Sequence, residues 1–225
     1  MKKLIFLFLL TLVFNAGFTQ NQESRKKIGL IFNISGPYDI SRQTLINMVG
    51  SSDKIDQSNP YYEAIKFLGA DKCNPTEKIE NYYLESLKAL NFEPTIIREK
   101  IENIDLPKFN MQGKKKFSLD LKYFKNKYDI DYIIMVGGIF GMEFENIGFI
   151  SGDKRTHISL RNTFININTN EIKDKFDIGN IKNIKKKNLI NPPDFPNVLE
   201  SMERLLNERI FPEIKNKLVR YIQLD

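Results

Sequence analysis

Residues 131–138 read DYIIMVGG and form the most apolar stretch of the chain after its first twenty residues. A short continuous run of Ile, Met and Val that ends in glycines is typical of a strand buried on both faces of a sheet. Residues 28–34, IGLIFNI, have the same character and end at the turn signal Ser35-Gly36-Pro37. The two segments predict two central strands.

A helix, a tight turn and a strand are predicted between these two segments. Asn74, Pro75 and Glu77 supply a favoured N-cap, a proline in the first turn and a capping-box partner. Apolar residues then recur at helical spacing, and Asn91 is suited to a left-handed stop. Residues 92–98 follow as a second strand.

The pattern changes after residue 138. Residues 144–150, 154–168 and 171–178 read as successive strands joined by short turns, which predicts an antiparallel meander. Apolar residues at helical spacing between Val198 and Ile222 predict a closing C-terminal helix. Pro212 should kink this helix or split it in two.

The order of the predicted elements defines the fold class. Short helices at residues 61–68 and 118–127 complete the set, and the order reads β-α-β-α-β-β-β-β-α. Such an order places α/β crossovers in the N-terminal half and hairpins in the C-terminal half. We therefore predict an α/β (α+β) fold: a mixed sheet with helices on at least one face, an antiparallel meander and a closing C-terminal helix.

The first twenty residues, MKKLIFLFLLTLVFNAGFTQ, match the pattern of a secretory leader. Lys2 and Lys3 precede an apolar run that ends at Phe14, which is shorter than the roughly 20 residues that span a bilayer. The alternative is a buried N-terminal helix or strand. The sequence predicts a signal peptide at residues 1–20, a single α/β domain at residues 21–225, and a periplasmic or secreted protein without a membrane span.

Composition and charge exclude several classes of function. The chain has 225 residues, with 34 basic side chains, 28 acidic side chains, one Cys and one His. Loss of Lys2 and Lys3 with the leader leaves 32 basic against 28 acidic side chains, a net charge of +4. This excess is too small for a nucleic-acid-binding surface, and one Cys and one His do not make a metal centre. We expect no cofactor, no metal and no nucleic-acid partner, and we expect Cys73 to be a buried apolar side chain rather than a reactive thiol.

Alternating polar residues between positions 155 and 163 mark the candidate ligand site. Arg155, His157 and Arg161 fall on one face of the predicted strand, together with Ser159 and Thr163. They form either a basic platform for an anionic ligand, such as a carboxylate or phosphate of an envelope polymer, or the solvated face of an antiparallel sheet. We take Arg155, His157 and Arg161 as the ligand-binding candidates.

No catalytic residue is predicted. His157 as a general base would need a nucleophile and an orienting carboxylate. Ser151, Asp153 and Ser159 are near it in sequence, but no nucleophile-elbow motif is present. Residues 137–141, GGIFG, lack the spacing of a phosphate-binding loop and instead predict a bulge or bend.

Three charged clusters each have two interpretations. Asp129 and Asp131 could act as an acid–base or cation-binding pair, but at a strand entrance they are expected to be turn and edge charges. The lysine-rich stretches at residues 114–116 and 182–187 read as solvated loops or as contacts with anionic lipid headgroups or acidic polymer.

The chain resembles a group of bacterial envelope proteins at four places: Lys27–Asn33, Thr76–Ile97, Asp131–Val136 and the hairpin tip Ile167–Ile172. This group contains the TolB N-terminal domain, the CsgG-like secretion components and the LpoB-type outer-membrane lipoproteins. The resemblance implies a small α/β module with an assembly or scaffolding role and without a shared catalytic site.

Together these observations favour an exported, non-enzymatic binding or assembly module whose partner is an envelope protein or an anionic cell-wall polymer. One alternative is a secreted hydrolase without a recognisable motif, which a pocket holding His157 with an acid and a hydroxyl would favour. The other is a carrier of a small anionic ligand that uses Arg155 and Arg161. A flat surface with an exposed apolar patch would favour the binding module.

Overall fold

A mixed five-stranded sheet of order β2-β1-β3-β4-β5 is the centre of the part of the chain that the computed structural model describes. The described residues are 25–40, 60–70, 73–99, 117, 121–144, 154–179 and 189–222. The strands are β1 (Lys27–Asp39), β2 (Glu93–Ile96), β3 (Tyr132–Phe144), β4 (Lys154–Asn166) and β5 (Glu171–Ile178). β1 pairs in parallel with β2 and β3, whereas β3–β4 and β4–β5 are antiparallel. The predicted α/β class, mixed sheet and meander are therefore confirmed.

Helices precede and follow these strands. They are α1 (Pro60–Leu68), α2 (Thr76–Ala89), α3 (Lys122–Tyr128), α4 (Pro196–Leu205) and α5 (Phe211–Ile222). The Thr76 N–H donates to Asn74 Oδ1 at 3.0 Å, but α2 begins at Thr76 with Pro75 in the N-cap position, and the predicted capping box with Glu77 is not formed. The predicted left-handed stop is present, since Asn91 has a φ of 64°. No helix in the described ranges is long and apolar enough to cross a membrane.

The two parallel crossovers cover opposite faces of the sheet. The connection from β1 leads to β2 at one edge of the sheet. The connection from β2 leads in the opposite direction across the sheet, past β1, to β3. Because crossovers of both directions are right-handed, they must pass over opposite faces. Accordingly, α2 packs on the face that carries Leu30 and Ile134, and α3 packs on the face that carries Ile31 and Ile133. We call these the large-core face and the α3 face.

Two buried polar pairs tie helices to the large-core face. The Tyr83 hydroxyl on α2 donates to Asn162 Oδ1 on β4 at 2.6 Å. The hydroxyls of Thr156 on β4 and Ser201 on α4 are 2.9 Å apart. Since buried polar groups need partners, these pairs fix where the helices sit on the sheet.

Pro212 divides the C-terminal helix as predicted. A π-helical turn at Leu206–Ile210 separates α4 from α5, and the Phe211 N–H donates to the Leu206 carbonyl. A proline has no N–H and its ring crowds the carbonyl four residues earlier, and the wider turn just before Pro212 relieves that crowding.

Two predictions around β3 were wrong. Phe144 does not begin a separate strand; it ends β3, which pairs with β4 from Tyr132 to Phe144 without a register shift. Residues 145–150 lie outside the described ranges. The predicted bend at residues 137–141 is likewise absent, and the bulge lies on β1 between Ser35 and Tyr38. Gly141 is needed where β1 and β3 approach closely, because a side chain at this position would collide with the Tyr38 backbone.

Two elements are shorter than predicted. β2 spans Glu93–Ile96 rather than residues 92–98, because this edge strand pairs only with β1 and the pairing ends at Ile96. α3 begins at Lys122 rather than near Ser118, which lies outside the described residues. Leu121 precedes the helix and is fully buried, so tertiary packing sets the start of α3.

Several predicted features also lie outside the described residues. They are the leader at residues 1–20, the lysine stretches at 114–116 and 182–187, and the candidates Ser151 and Asp153.

Candidate functional site

The α3 face has an apolar half and a polar half. Ile133 and Met135 of β3 are buried together with Ile31 and Ile165 in the cluster that α3 covers. Further along β3 the residues on this face are polar or small, except for Ile139. We call this half the polar end; its residues are Asn33, Ser35, Gly137, Ile139, Glu143, Arg155, His157, Ser159, Arg161 and Asp177.

One row of the polar end crosses four strands in register: Asn33, Gly137, Arg161 and Asp177. Asn33, Arg161 and Asp177 are exposed, and Arg161 Nε lies 3.3 Å from Asp177 Oδ1. The nearest described atom to a side chain built on Gly137 is the Arg161 carbonyl oxygen, 4.0 Å away. With strands about 4.8 Å apart, the backbones at Asn33 and Arg161 are about 10 Å apart, and Gly137 lies between them without a side chain. We call this row the open strip.

A second group of the polar end lies where the β3–β4 hairpin finishes. Glu143 and Arg155 are direct partners across the two strands. Glu143 Oε2 lies 3.4 Å from Arg155 Nε and 3.6 Å from His157 Nδ1. The side chains of Arg155 and His157 are only 13% and 14% exposed. One carboxylate oxygen of Glu143 therefore lies beside two basic side chains that are both nearly buried.

Burial is the main influence on the titration of His157. It lowers the pKa of the imidazole below its ordinary value of 6.5; the adjacent Glu143 carboxylate opposes this and the Arg155 charge adds to it. The imidazole is therefore neutral near pH 7. Burial also lowers the pKa of the Arg161 guanidinium, with Asp177 opposing, although a guanidinium stays charged at any physiological pH.

The structure places the three ligand-binding candidates on one face, as their alternation predicts, but not in one cluster. Arg155 and His157 meet at Glu143, whereas Arg161 is four residues further along β4, about 13 Å from His157. Arg161 instead pairs with Asp177. Each arginine thus has a carboxylate beside it, so the face has less net positive charge than the β4 sequence alone suggests.

Sequence reasoning missed the acidic members of the polar end. Glu143 follows the predicted bend at residues 137–141, and Asp177 lies in a predicted strand with no specified neighbour, so neither was a site candidate. A continuous β3–β4 hairpin would have paired Glu143 with Arg155, and the same alternation on β5 would have placed Asp177 beside Arg161.

The other candidates have structural roles. Asp131 Oδ2 accepts the Lys27 backbone N–H at 3.4 Å, and Asp129 forms an ion pair with the Lys27 ammonium group. This pairing raises the pKa of Lys27 and lowers that of Asp129. Both aspartates join the start of β1 to the start of β3, which confirms them as turn and edge charges. Cys73 is buried, as predicted.

The chemical capacity of the polar end follows from these contacts. Its open strip offers hydrogen-bond donors and acceptors, and its hairpin end holds a neutral imidazole beside a carboxylate. Among the described residues no group of three or more His, Cys, Asp or Glu side chains could hold a metal ion.

Comparisons with known proteins leave the family open. No protein-family profile matches the chain, and no curated protein matches it. Among solved structures, one similar chain is a neuraminyllactose-binding hemagglutinin homologue from Helicobacter pylori, with 11% identity, a TM-score of 0.39, and coverage of 89% of this chain and 88% of that one. Another is a hypothetical protein from Chlamydia trachomatis, with 9% identity, a TM-score of 0.41, and coverage of 90% and 100%. Similarities of this size do not identify a function.

Proposed function

We propose that this chain is an exported bacterial envelope protein that binds or assembles with a protein or cell-wall partner and does not catalyse a reaction. The observation that supports this proposal is the open strip, Asn33, Gly137, Arg161 and Asp177, on the half of the α3 face that none of the described helices covers. The secretory pattern of residues 1–20 and the resemblance to TolB-type, CsgG-like and LpoB-type modules support the same proposal.

The open strip has the properties of a recognition surface. Its side chains are carried by paired strands, so the backbone is already ordered and a partner has to order only the side chains. It presents an amide, a guanidinium and a carboxylate, which suit a polar partner with hydrogen-bonding groups of both kinds.

The two alternatives have weaker support. The contact of 3.6 Å between His157 and Glu143 resembles the orienting half of a catalytic triad and favours a secreted hydrolase. The carrier of a small anion depends on Arg155 and Arg161, but the carboxylates beside both reduce their attraction for an anion.

Site-specific photo-crosslinking tests the binding proposal. The full chain is expressed with a photoreactive residue in place of Asn33 on the open strip, or in place of the exposed Lys88 on α2 as the matched control. We expect discrete adducts in the envelope fraction from position 33, competed away by excess unmodified protein, and none from position 88. Equal yields from both positions, or none, would refute the proposal.

Two further measurements separate the parts of the proposal. Co-sedimentation of the purified protein with isolated cell-wall sacculi distinguishes a polymer partner from a protein partner. Mass spectrometry of the N-terminus in each cell fraction tests export, and a cytosolic chain that retains residues 1–20 would contradict it. Hydrolysis of any substrate that is lost in His157→Ala would favour the hydrolase.

A further inference from the structure

The two outer strands of the sheet, β2 and β5, carry features that hinder the addition of a further strand. An edge strand presents N–H and C=O groups to which the edge of another molecule can pair, and proteins commonly block such edges. Within the described residues, β2 pairs only with β1 and β5 pairs only with β4. The backbone groups that these two strands turn outwards therefore decide whether the sheet can be extended.

At β2, a proline stands where an outward N–H would be. The Glu93 N–H donates to the Lys26 carbonyl at 3.0 Å. The Ile97 N–H likewise donates to the Leu30 carbonyl at 2.8 Å. Since successive N–H groups alternate between the two sides of a strand, the backbone at Pro94 faces away from β1. Proline has no N–H, so this edge offers no donor at that position.

At β5, alternate residues face outwards in the same way. The side-chain amide of Asn162 on β4 donates to the Phe176 carbonyl at 3.4 Å, so the backbone of Phe176 faces β4. The backbone groups of the two neighbouring residues, Lys175 and Asp177, therefore face away from β4. Both of these residues are exposed. They define the part of the β5 edge at which a further strand would pair.

The side chain of Asp174 already binds the outward N–H of Lys175. Its Oδ1 accepts this N–H at 2.7 Å. Lys173, just before it, is the extra residue of a β-bulge, because the pairing with β4 goes from Ile172 directly to Asp174. Bulges and charged side chains at an edge both hinder further pairing. The first outward donor after the bulge is thus engaged within the chain.

A second copy of this chain is the partner that the β5 edge would fit. Two β5 strands that pair antiparallel about a two-fold axis at Phe176 would place Lys175 of each copy opposite Asp177 of the other. Opposite charges directly across a pair of strands attract each other. This pairing would require each Lys175 N–H to donate to the other copy, and that N–H is the one that Asp174 accepts.

We propose that Asp174 blocks the β5 edge: by accepting the Lys175 N–H, it prevents two copies of the chain from pairing through β5. Pro94 has the corresponding role at the β2 edge. The edge block concerns association between copies and does not depend on the proposed partner binding at the open strip. Its failure and the failure of that proposal are therefore separate outcomes.

Sedimentation velocity of the purified chain over a range of concentrations tests the edge block. Asp174→Ala frees two N–H donors in each dimer, so it should dimerise at concentrations roughly tenfold to a hundredfold below any at which the wild type does. Asp174→Asn loses the charge but keeps an acceptor oxygen, and it should behave as the wild type. Asp177→Ala is the matched control, because it removes a carboxylate of the same strand that contacts Arg161 rather than the backbone.

Amide hydrogen exchange locates the new contact. In Asp174→Ala, the protection of the Lys175 and Asp177 amides should rise with protein concentration, whereas that of Ile134 in the centre of β3 should not. Addition of Asp177→Lys to Asp174→Ala places lysines opposite lysines in the two-fold register and should weaken the dimer. Asp174→Gly, which also lacks an acceptor, serves if Asp174→Ala does not fold.

Three results would overturn the edge block. Asp174→Ala that stays monomeric up to its solubility limit would show that the Lys175 N–H does not control association. Asp174→Asn that dimerises as readily as Asp174→Ala would assign the effect to charge rather than to the hydrogen bond. A wild-type dimer in which the Lys175 amide gains protection with concentration would show that the edge is open.

Discussion

Removal of one buried hydroxyl, by Tyr83→Phe, should destabilise the fold measurably. The Tyr83 hydroxyl donates to Asn162 Oδ1 at 2.6 Å, and both side chains have 0% exposure. Burial raises the pKa of Tyr83 well above its usual range, so the hydroxyl keeps its proton and remains the donor. Without it, Asn162 Oδ1 loses a partner that water cannot replace at this depth.

The magnitude follows from the cost of an unsatisfied buried acceptor. That cost is about 1–3 kcal/mol, and for a chain of this size the Tm falls by about 2–4 °C per kcal/mol. Asn162→Leu, of similar volume, leaves the Tyr83 hydroxyl unpaired and should cost a similar amount. It also removes the weaker contact of Asn162 Nδ2 with the Phe176 carbonyl at 3.4 Å. The double variant lacks both polar groups. Its loss of unfolding free energy should therefore be smaller than the sum of the losses in the two single variants.

Urea unfolding of the wild type, both single variants and the double variant at one pH measures the coupling energy, expected between about 0.5 and 3 kcal/mol. Tyr82→Phe is the matched control. Tyr82 is the preceding residue and stacks on Phe211 with ring centres 4.2 Å apart, a contact that phenylalanine retains. The hydrogen-bond argument is refuted if Tyr83→Phe is no more destabilising than Tyr82→Phe. It is also refuted if the losses of unfolding free energy in Tyr83→Phe and Asn162→Leu add up to the loss in the double variant.

Three further predictions concern the sheet. Ile134→Asp places a carboxylate at a fully buried position and should prevent folding, so a cooperative melt at the wild-type Tm would contradict the buried central strand. Gly141→Ala should lose about 1–3 kcal/mol in urea because its methyl group meets the β1 backbone, whereas Gly137→Ala, with its nearest described neighbour 4.0 Å away, should not be destabilised. Thr156→Val leaves the buried Ser201 hydroxyl without this partner and should lower the free energy of unfolding by about 1–3 kcal/mol. An unfolding midpoint of the variant equal to that of the wild type would disprove this.

Local patterns predicted most of the helices and strands because the interactions that start and stop them involve neighbouring residues. Asn74 binds the backbone two residues ahead, and Asn91 adopts the left-handed conformation that ends α2. Pro212 lacks a donor wherever it lies, so the interruption of the last helix could be predicted without a tertiary structure.

Sequence reasoning failed where a distant strand decides the local geometry. A glycine-rich segment such as residues 137–141 is compatible with a bend or with a strand that another backbone crosses closely. Only the position of Tyr38 over Gly141 distinguishes the two, and that position depends on how β1 and β3 align. The predicted end of β3 at residue 138 was therefore too early, since the strand continues to Phe144.

The candidate site shows the same division between local and long-range information. A strand turns alternate side chains to the same side, so the shared face of Arg155, His157 and Arg161 follows from their spacing alone. Which carboxylate stands beside each base depends on strand register, and register is selected by the burial of entire apolar rows across the sheet. The pairing of Glu143 with Arg155 and of Asp177 with Arg161 therefore emerges only when the strands are assembled.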